Sequence, residues 1–216
     1  PILVFGVCST YIYRMKTLGV LFIFLTMSIG CQRTTAAGFS TKQAAIINLA
    51  DNSTPMRVWK ISSTSDSLLL RKAAEPVKLE KQDPVLDLFI DRLFATVRDS
   101  MSLGVGIAAP QVGILKQIIW VQRFDKEELP FEVYINPTIV TYSDEQREGT
   151  EGCLSIPNRK EKCLRSKWIE LAYNKQDGTR HQERIEDFTA VIFQHEIDHL
   201  DGKLFIDYLK PLKRQL

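Results

Sequence analysis

The sequence predicts an α+β domain built on antiparallel sheet, and three observations carry that prediction. One long segment repeats apolar residues at helical spacing, several short segments alternate apolar and polar residues between turn sequences, and a second helical segment follows the last of them. The first helix opens at Asp83-Pro84, an N-cap residue followed by proline at the first helical position. Leu86, Phe89, Ile90, Leu93, Phe94, Val97 and Met101 then form one stripe to be buried. Strands are expected at 117–122, at 132–135 and at 167–173, the last with Ile169, Leu171 and Tyr173 on one face. The loop 174–178, ending in Asp177-Gly178, turns the chain into a returning strand over 180–186. Asp187 is expected to cap a second helix over 188–200, which stops before Gly202.

Composition suits one sizeable folded domain: 216 residues, 44% hydrophobic and 25% charged. The formal charge of +2 comes from Arg14 and Lys16, the only charged residues before position 31. The remainder is neutral and offers no domain-wide basic field, so no nucleic-acid partner is expected.

Those first residues read as an address. Thr17–Ile29 is an apolar run too short to span a bilayer, preceded by Lys16 and followed by Gly30-Cys31. Residues 1–31 are therefore expected to be a signal segment, with Met15 a candidate true start and 1–14 upstream of it. The Gly-Cys pair resembles the lipid-attachment box of bacterial lipoproteins, although Ser28 and Ile29 depart from it. The expectation is an exported protein anchored through a lipid on Cys31, with the cytoplasm as the alternative location. The polar, Ala- and Thr-rich residues 32–56 read as a flexible tether, and the folded domain as 57–216.

The chemistry is concentrated in three short motifs. His195-Glu196-Ile197-Asp198-His199 places two imidazoles one turn apart on one helix face, where they can share a divalent metal, with Glu196 beside them as a general base. At this composition about 0.002 such strings are expected by chance, so the motif carries information. A third ligand is needed. His181 lies among polar strand residues and reads as an exposed side chain; Cys153, in Glu151-Gly152-Cys153-Leu154-Ser155 just after a stretch that reads as irregular, 143–150 (SDEQREGT), is the better candidate. The third motif is 104–111 (GVGIAAPQ), where two glycines permit another backbone to approach and Gln111 offers an amide donor for a developing oxyanion.

Together and in this order, 104–111 (GVGIAAPQ), 151–155 (EGCLS) and 194–199 (QHEIDH) resemble the three signature blocks of the peptide deformylase family. The likeness extends through 134–137 (YINP) and 202–208 (GKLFIDY) and covers about two-thirds of the chain. It implies antiparallel sheets packed around the central C-terminal helix, and one divalent metal ion held by Cys153, His195 and His199. That ion would be Fe²⁺ natively, with Zn²⁺ or Ni²⁺ able to replace it. The reaction implied is removal of the formyl group from N-formylmethionyl peptides, releasing formate. Glu196 would move the proton, while Gln111 and the Leu154 backbone N–H stabilise the oxyanion. Val105, Gly106 and Gly152 would bind the peptide backbone, and Glu151, Val191 and Ile192 would border the methionine pocket. Gln194 and Asp198 would act as supports. The partners implied are formylated peptides, and a monomer is expected.

The departures from the family pattern are Lys160 in place of an arginine, Cys163-Leu164 in place of Val-Pro, and Asp66-Ser67 in place of Asp-Pro. Lys160 cannot reproduce a bidentate arginine contact. Cys153 and Cys163 stand ten residues apart, and both are expected to be reduced because the metal needs a free thiolate. Two other readings of the motifs are another HExxH metallopeptidase or amidase of the cell envelope, and a non-catalytic envelope lipoprotein.

Overall fold

The computed structural model describes residues 38–79, 83–99 and 103–209. The signal segment with Cys31, residues 32–37 of the expected tether, and Met101 lie outside the described residues. The elements run α1 (Thr41–Ile47), α2 (Thr64–Leu70), α3 (Pro84–Arg98), β1 (Gly106–Ala108), a 3₁₀ turn (Ala109–Val112), β2 (Ile118–Gln122), β3 (Phe131–Tyr142), β4 (Gln146–Cys153), β5 (Ile156–Ser166), β6 (Trp168–Asn174), β7 (Arg180–Glu186), α4 (Asp187–Leu200) and a second 3₁₀ turn (Phe205–Tyr208). They form an antiparallel five-stranded sheet, in the order β1-β2-β3-β6-β7, and a separate β4-β5 hairpin. Among the described residues β1 is therefore an edge strand, paired only with β2. The α+β class with antiparallel sheet is as the sequence predicts.

Helix α3 begins as expected: Asp83 accepts from the Val85 and Leu86 N–H groups, and Pro84 occupies the first turn. Its apolar stripe buries Leu86, Phe89, Ile90, Leu93 and Val97, while Phe94 lies at the margin, packed on Trp120 and Phe131. Ile119, Val121, Ile169, Leu171 and Ile185 form a second core with Ala190, Ile192, Phe193, Ile197 and Leu200 of α4. Every α4 residue from Thr189 to Leu200 is buried, so its polar ones must find partners inside the protein.

Three sequence expectations are corrected. Residues 38–56 are part of the fold rather than a tether: Phe39, Ile47 and Met56 are buried in the α3 core. Ser40 and Gln43 form a capping box on α1. The buried Arg92 guanidinium donates to the carbonyls of Ile46, Ile47 and Thr54, and the Met56 N–H donates to Thr96 Oγ1. These bonds satisfy backbone groups that a free tether would leave to water. Asp187 is not the cap of α4. It is the first helical residue, with φ 52°, and Glu186 precedes it without a side-chain cap bond. The polar stretch before Glu151, expected to be irregular, is strand from Gln146 onward.

Candidate metal centre

Two elements meet at the site: the end of strand β4 and the middle of helix α4. The donor atoms of Cys153, His195 and His199 all lie within 4.8 Å of one another, with Cys153 Sγ 3.2 Å from His199 Nε2. Two donors on one tetrahedral ion stand about 3.5 Å apart, so the spacing fits a single cation. A thiolate with two imidazoles is a donor set suited to Fe²⁺, Zn²⁺ or Ni²⁺ rather than to Mg²⁺ or Ca²⁺.

The partners of these ligands are buried and charged. Glu151 Oε2 contacts His195 Nδ1 at 2.7 Å, which leaves Nε2 of that ring for an ion. The Arg165 guanidinium clamps Glu151 from the other side, Nε to Oε1 at 2.7 Å and Nη2 to Oε2 at 3.0 Å. It also donates to Asp198 Oδ2 at 2.6 Å, and Tyr208 OH donates to Asp198 Oδ1 at 2.8 Å. Burial acts to raise the Glu151 carboxyl, but the hydrogen bonds from His195 and Arg165 outweigh it and hold the group down at about 2. Glu151 is therefore an anion that orients His195, and it also lines a recess beside His195 and Glu196. Gln194 fastens α4 to the hairpin, accepting from Ser166 N–H and donating to Ser166 C=O.

Glu196 differs from these supports. Its Oε2 and His199 Nδ1 are the buried side-chain nitrogen and oxygen atoms left without a hydrogen-bond partner among the described residues. Burial pushes the Glu196 carboxyl up to about 7. Burial also drives His199 well below its ordinary value, which keeps the imidazole neutral, as a ligand must be. Gly106 of β1 makes room for the carboxyl, since a Cβ there would stand 2.5 Å from Glu196 Oε1.

Gln111 approaches from the 3₁₀ turn. Its Oε1 accepts from Ala108 N–H at 2.8 Å, and its Nε2 points to Cys153 Sγ at 3.4 Å and Ser155 Oγ at 3.3 Å. A cavity of about 750 Å³ opens over these groups, bounded by Val105 and Gly106 on one wall and Gly152, Leu154 and Lys160 on the other. A recess of about 100 Å³ lined by Val105, Phe188, Val191 and Ile192 reaches the same His195 and Glu196. Of the site residues expected from sequence, all but His199 line this cavity or the recess, and His199 joins them through Cys153.

Cys153 and Cys163 are both free thiols. The hairpin register sets Cys163 opposite Gly149, four residues along β4 from Cys153. At about 3.3 Å per residue that offset exceeds the ~7 Å limit for bridging two Cα atoms. Burial pushes the Cys163 thiol up to about 11, and its Sγ faces the Phe205 carbonyl. His181, set aside as a ligand, stacks on Tyr173 away from the centre.

The polypeptide deformylase family model matches residues 58–215. The chain belongs to the peptide deformylase family. A peptide deformylase of Stenotrophomonas maltophilia strain K279a is 38% identical over 161 residues, 74% of this chain and 92% of that protein. Peptide deformylase 2 of Vibrio cholerae is 35% identical over the same shares of the two chains. Among solved structures, a class I type b peptide deformylase from Acinetobacter baumannii superposes with a TM-score of 0.65 at 34% identity, covering 72% of this chain and 99% of that one. The Thermotoga maritima peptide deformylase gives 0.63 at 35% identity, covering 73% and 99%. Deformylases are metallohydrolases that remove the N-formyl group of nascent peptides with one metal ion, and membership decides against the other HExxH amidase reading.

Arg165, Tyr208 and Phe188 are the parts of the site that sequence reasoning missed. Arg165 is visible as a cation near the end of the hairpin, but only the folded β4-β5 pair shows that it clamps Glu151.

Proposed function

We propose that Cys153, His195 and His199 hold the single metal ion of a deformylase acting on N-formylmethionyl peptides, with Glu196 as its proton carrier. One observation carries this reading: the three donor atoms converge beside a buried carboxylate oxygen that has no partner, facing a cavity on an open strand edge. When bound, the ion supplies Lewis acidity to water and to the formyl carbonyl.

The chain's own groups do the rest. Glu196, poised near neutral pH, accepts a proton from the attacking water and passes it to the departing amine, so that formyl amide and water become formate and a free N-terminus. The Gln111 Nε2 and the Leu154 N–H donate to the oxyanion as the carbonyl carbon becomes tetrahedral. The peptide lies extended along the free edge of β1, between Val105-Gly106 and Gly152, and the methionine side chain enters the recess at Val191 and Ile192. The donor set suits Fe²⁺, Zn²⁺ and Ni²⁺ alike, and Fe²⁺ as the native ion rests on the resemblance to the family, with Zn²⁺ and Ni²⁺ as working substitutes.

The test is formate release from a formyl-Met peptide by the full chain. The reading requires formate from the native protein, and internal cleavage of unformylated peptides without formate would contradict it. The order Lys16, apolar run, Gly30-Cys31 further supports export with a lipid on Cys31. Incorporation of a labelled lipid precursor that Cys31→Ser abolishes is the expected result; no incorporation in the native chain would contradict the lipid anchor.

A further inference from the structure

The amide assigned to the oxyanion is held from outside the site. Gln111 belongs to a 3₁₀ turn of four residues, closed by Gly113 N–H to Pro110 C=O at 3.0 Å and Ile114 N–H to Ala109 C=O at 3.1 Å. So short a turn has few bonds of its own to resist tilting. The missing restraint comes from residues 57–61. The Trp59 N–H donates to the Gln111 carbonyl at 2.7 Å, and two residues on the Ile61 N–H donates to the Ser155 carbonyl at 3.0 Å.

The Trp59 ring closes the arrangement. Gly113 has φ 81°, a conformation that favours glycine, and the ring occupies the space its absent side chain leaves: a Cβ there would stand 2.4 Å from Trp59 Cζ2 and 2.5 Å from Cε2. On another side the Arg57 guanidinium lies 5.0 Å from the ring centroid. Arg57 is fixed by two bonds to Asp66, Nη1 to Oδ2 at 2.8 Å and Nη2 to Oδ1 at 3.1 Å. The buried Asp66 also accepts from the Lys60 N–H at 3.2 Å. Asp66, which keeps the Asp of the family's Asp-Pro while Ser67 replaces the Pro, thus anchors this strap.

We propose that Trp59 is a positioning residue for deformylation: it fixes the Ala109–Val112 turn and thereby aims the Gln111 amide. The orientation of that amide depends on the turn. Gln111 Oε1 is tied to the Ala108 N–H, so any tilt of the turn carries Nε2 away from its place between Cys153 Sγ and Ser155 Oγ. Trp59 does not line the substrate cavity, so its loss acts on the reacting geometry rather than on peptide binding. The inference rests on the assignment of Gln111 as oxyanion donor, and the experiment separates the two.

Full-length W59A, W59L, W59F, Q111A and W59A/Q111A are compared for kcat and KM on a formyl-Met peptide, together with metal content. Misplacing a catalytic group by about 1 Å costs about 10²-fold, so W59A is expected to lower kcat by at least about 10-fold at unchanged KM and full metal content. W59L, which keeps apolar bulk if W59A does not fold, shows the same effect at smaller size, and W59F restores most of kcat. The double variant is no slower than Q111A, because both changes remove one interaction. Full kcat in Q111A overturns the Gln111 assignment and this inference with it. Loss of kcat in Q111A with full kcat in W59A and W59L overturns this inference alone, as does a double variant in which the two losses multiply.

Discussion

Two buried polar clusters touch helix α4, and they are built on opposite principles. Around Arg123, which is 2% exposed, every donor has an acceptor: Asp125 and Glu183 each take two hydrogen bonds, and the Tyr134 hydroxyl takes a fifth at 2.7 Å. Tyr134 in turn donates to Glu132 and packs edge-on against Phe193 of α4. In the cluster of Glu151, Arg165, His195 and Asp198 the supports are equally well paired, yet Glu196 Oε2 and His199 Nδ1 beside them are left open. A buried polar atom without a partner is costly, so a fold keeps one only where something else is to engage it. Complete pairing marks the Arg123 cluster as scaffold. The open atoms mark the other as machinery.

The comparison can be broken at either end. Glu196→Gln removes the proton carrier from the open cluster and should lower formate release by about 10³-fold while the protein keeps its metal, as activity and metal content measured on one sample would show. Arg123→Met leaves Asp125 and Glu183 without their cation and should cost about 3 kcal/mol of stability in a denaturant titration, with kcat of the folded protein unchanged. A matching loss of kcat would mean that the scaffold takes part in the chemistry. Ile47→Ala should also cost about 3 kcal/mol, since Ile47 is fully buried against α3; a tether residue would cost nothing. Arg165→Lys, which gives up the bidentate hold on Glu151, should weaken metal binding by about 10- to 100-fold in a competition assay.

What the sequence made legible follows from how local each feature is. Ligands four residues apart on a helix declare themselves, and so do a glycine-flanked cysteine and the alternation that buries Ile169 and Leu171. Residues 38–56 did not, because Phe39, Ile47 and Met56 are too widely spaced to show a period. Their main polar partner is Arg92, a charged residue whose burial on α3 no local pattern reveals. The β4-β5 hairpin hid for another reason: most of its side chains are exposed, so the strands lack apolar alternation. The role of Arg165 needed the folded hairpin, and the start of α4 misled because Asp187 enters the helix at positive φ.

The claim that Cys153, His195 and His199 form one working metal centre is tested most directly by removing the ion and returning it in steps while formate release is followed. The account predicts that activity disappears with the metal and recovers in proportion to one divalent ion per chain, and that Cys153→Ala neither retains the ion nor releases formate. Undiminished formate release from metal-free protein, or a Cys153→Ala variant that binds metal and works normally, would contradict it.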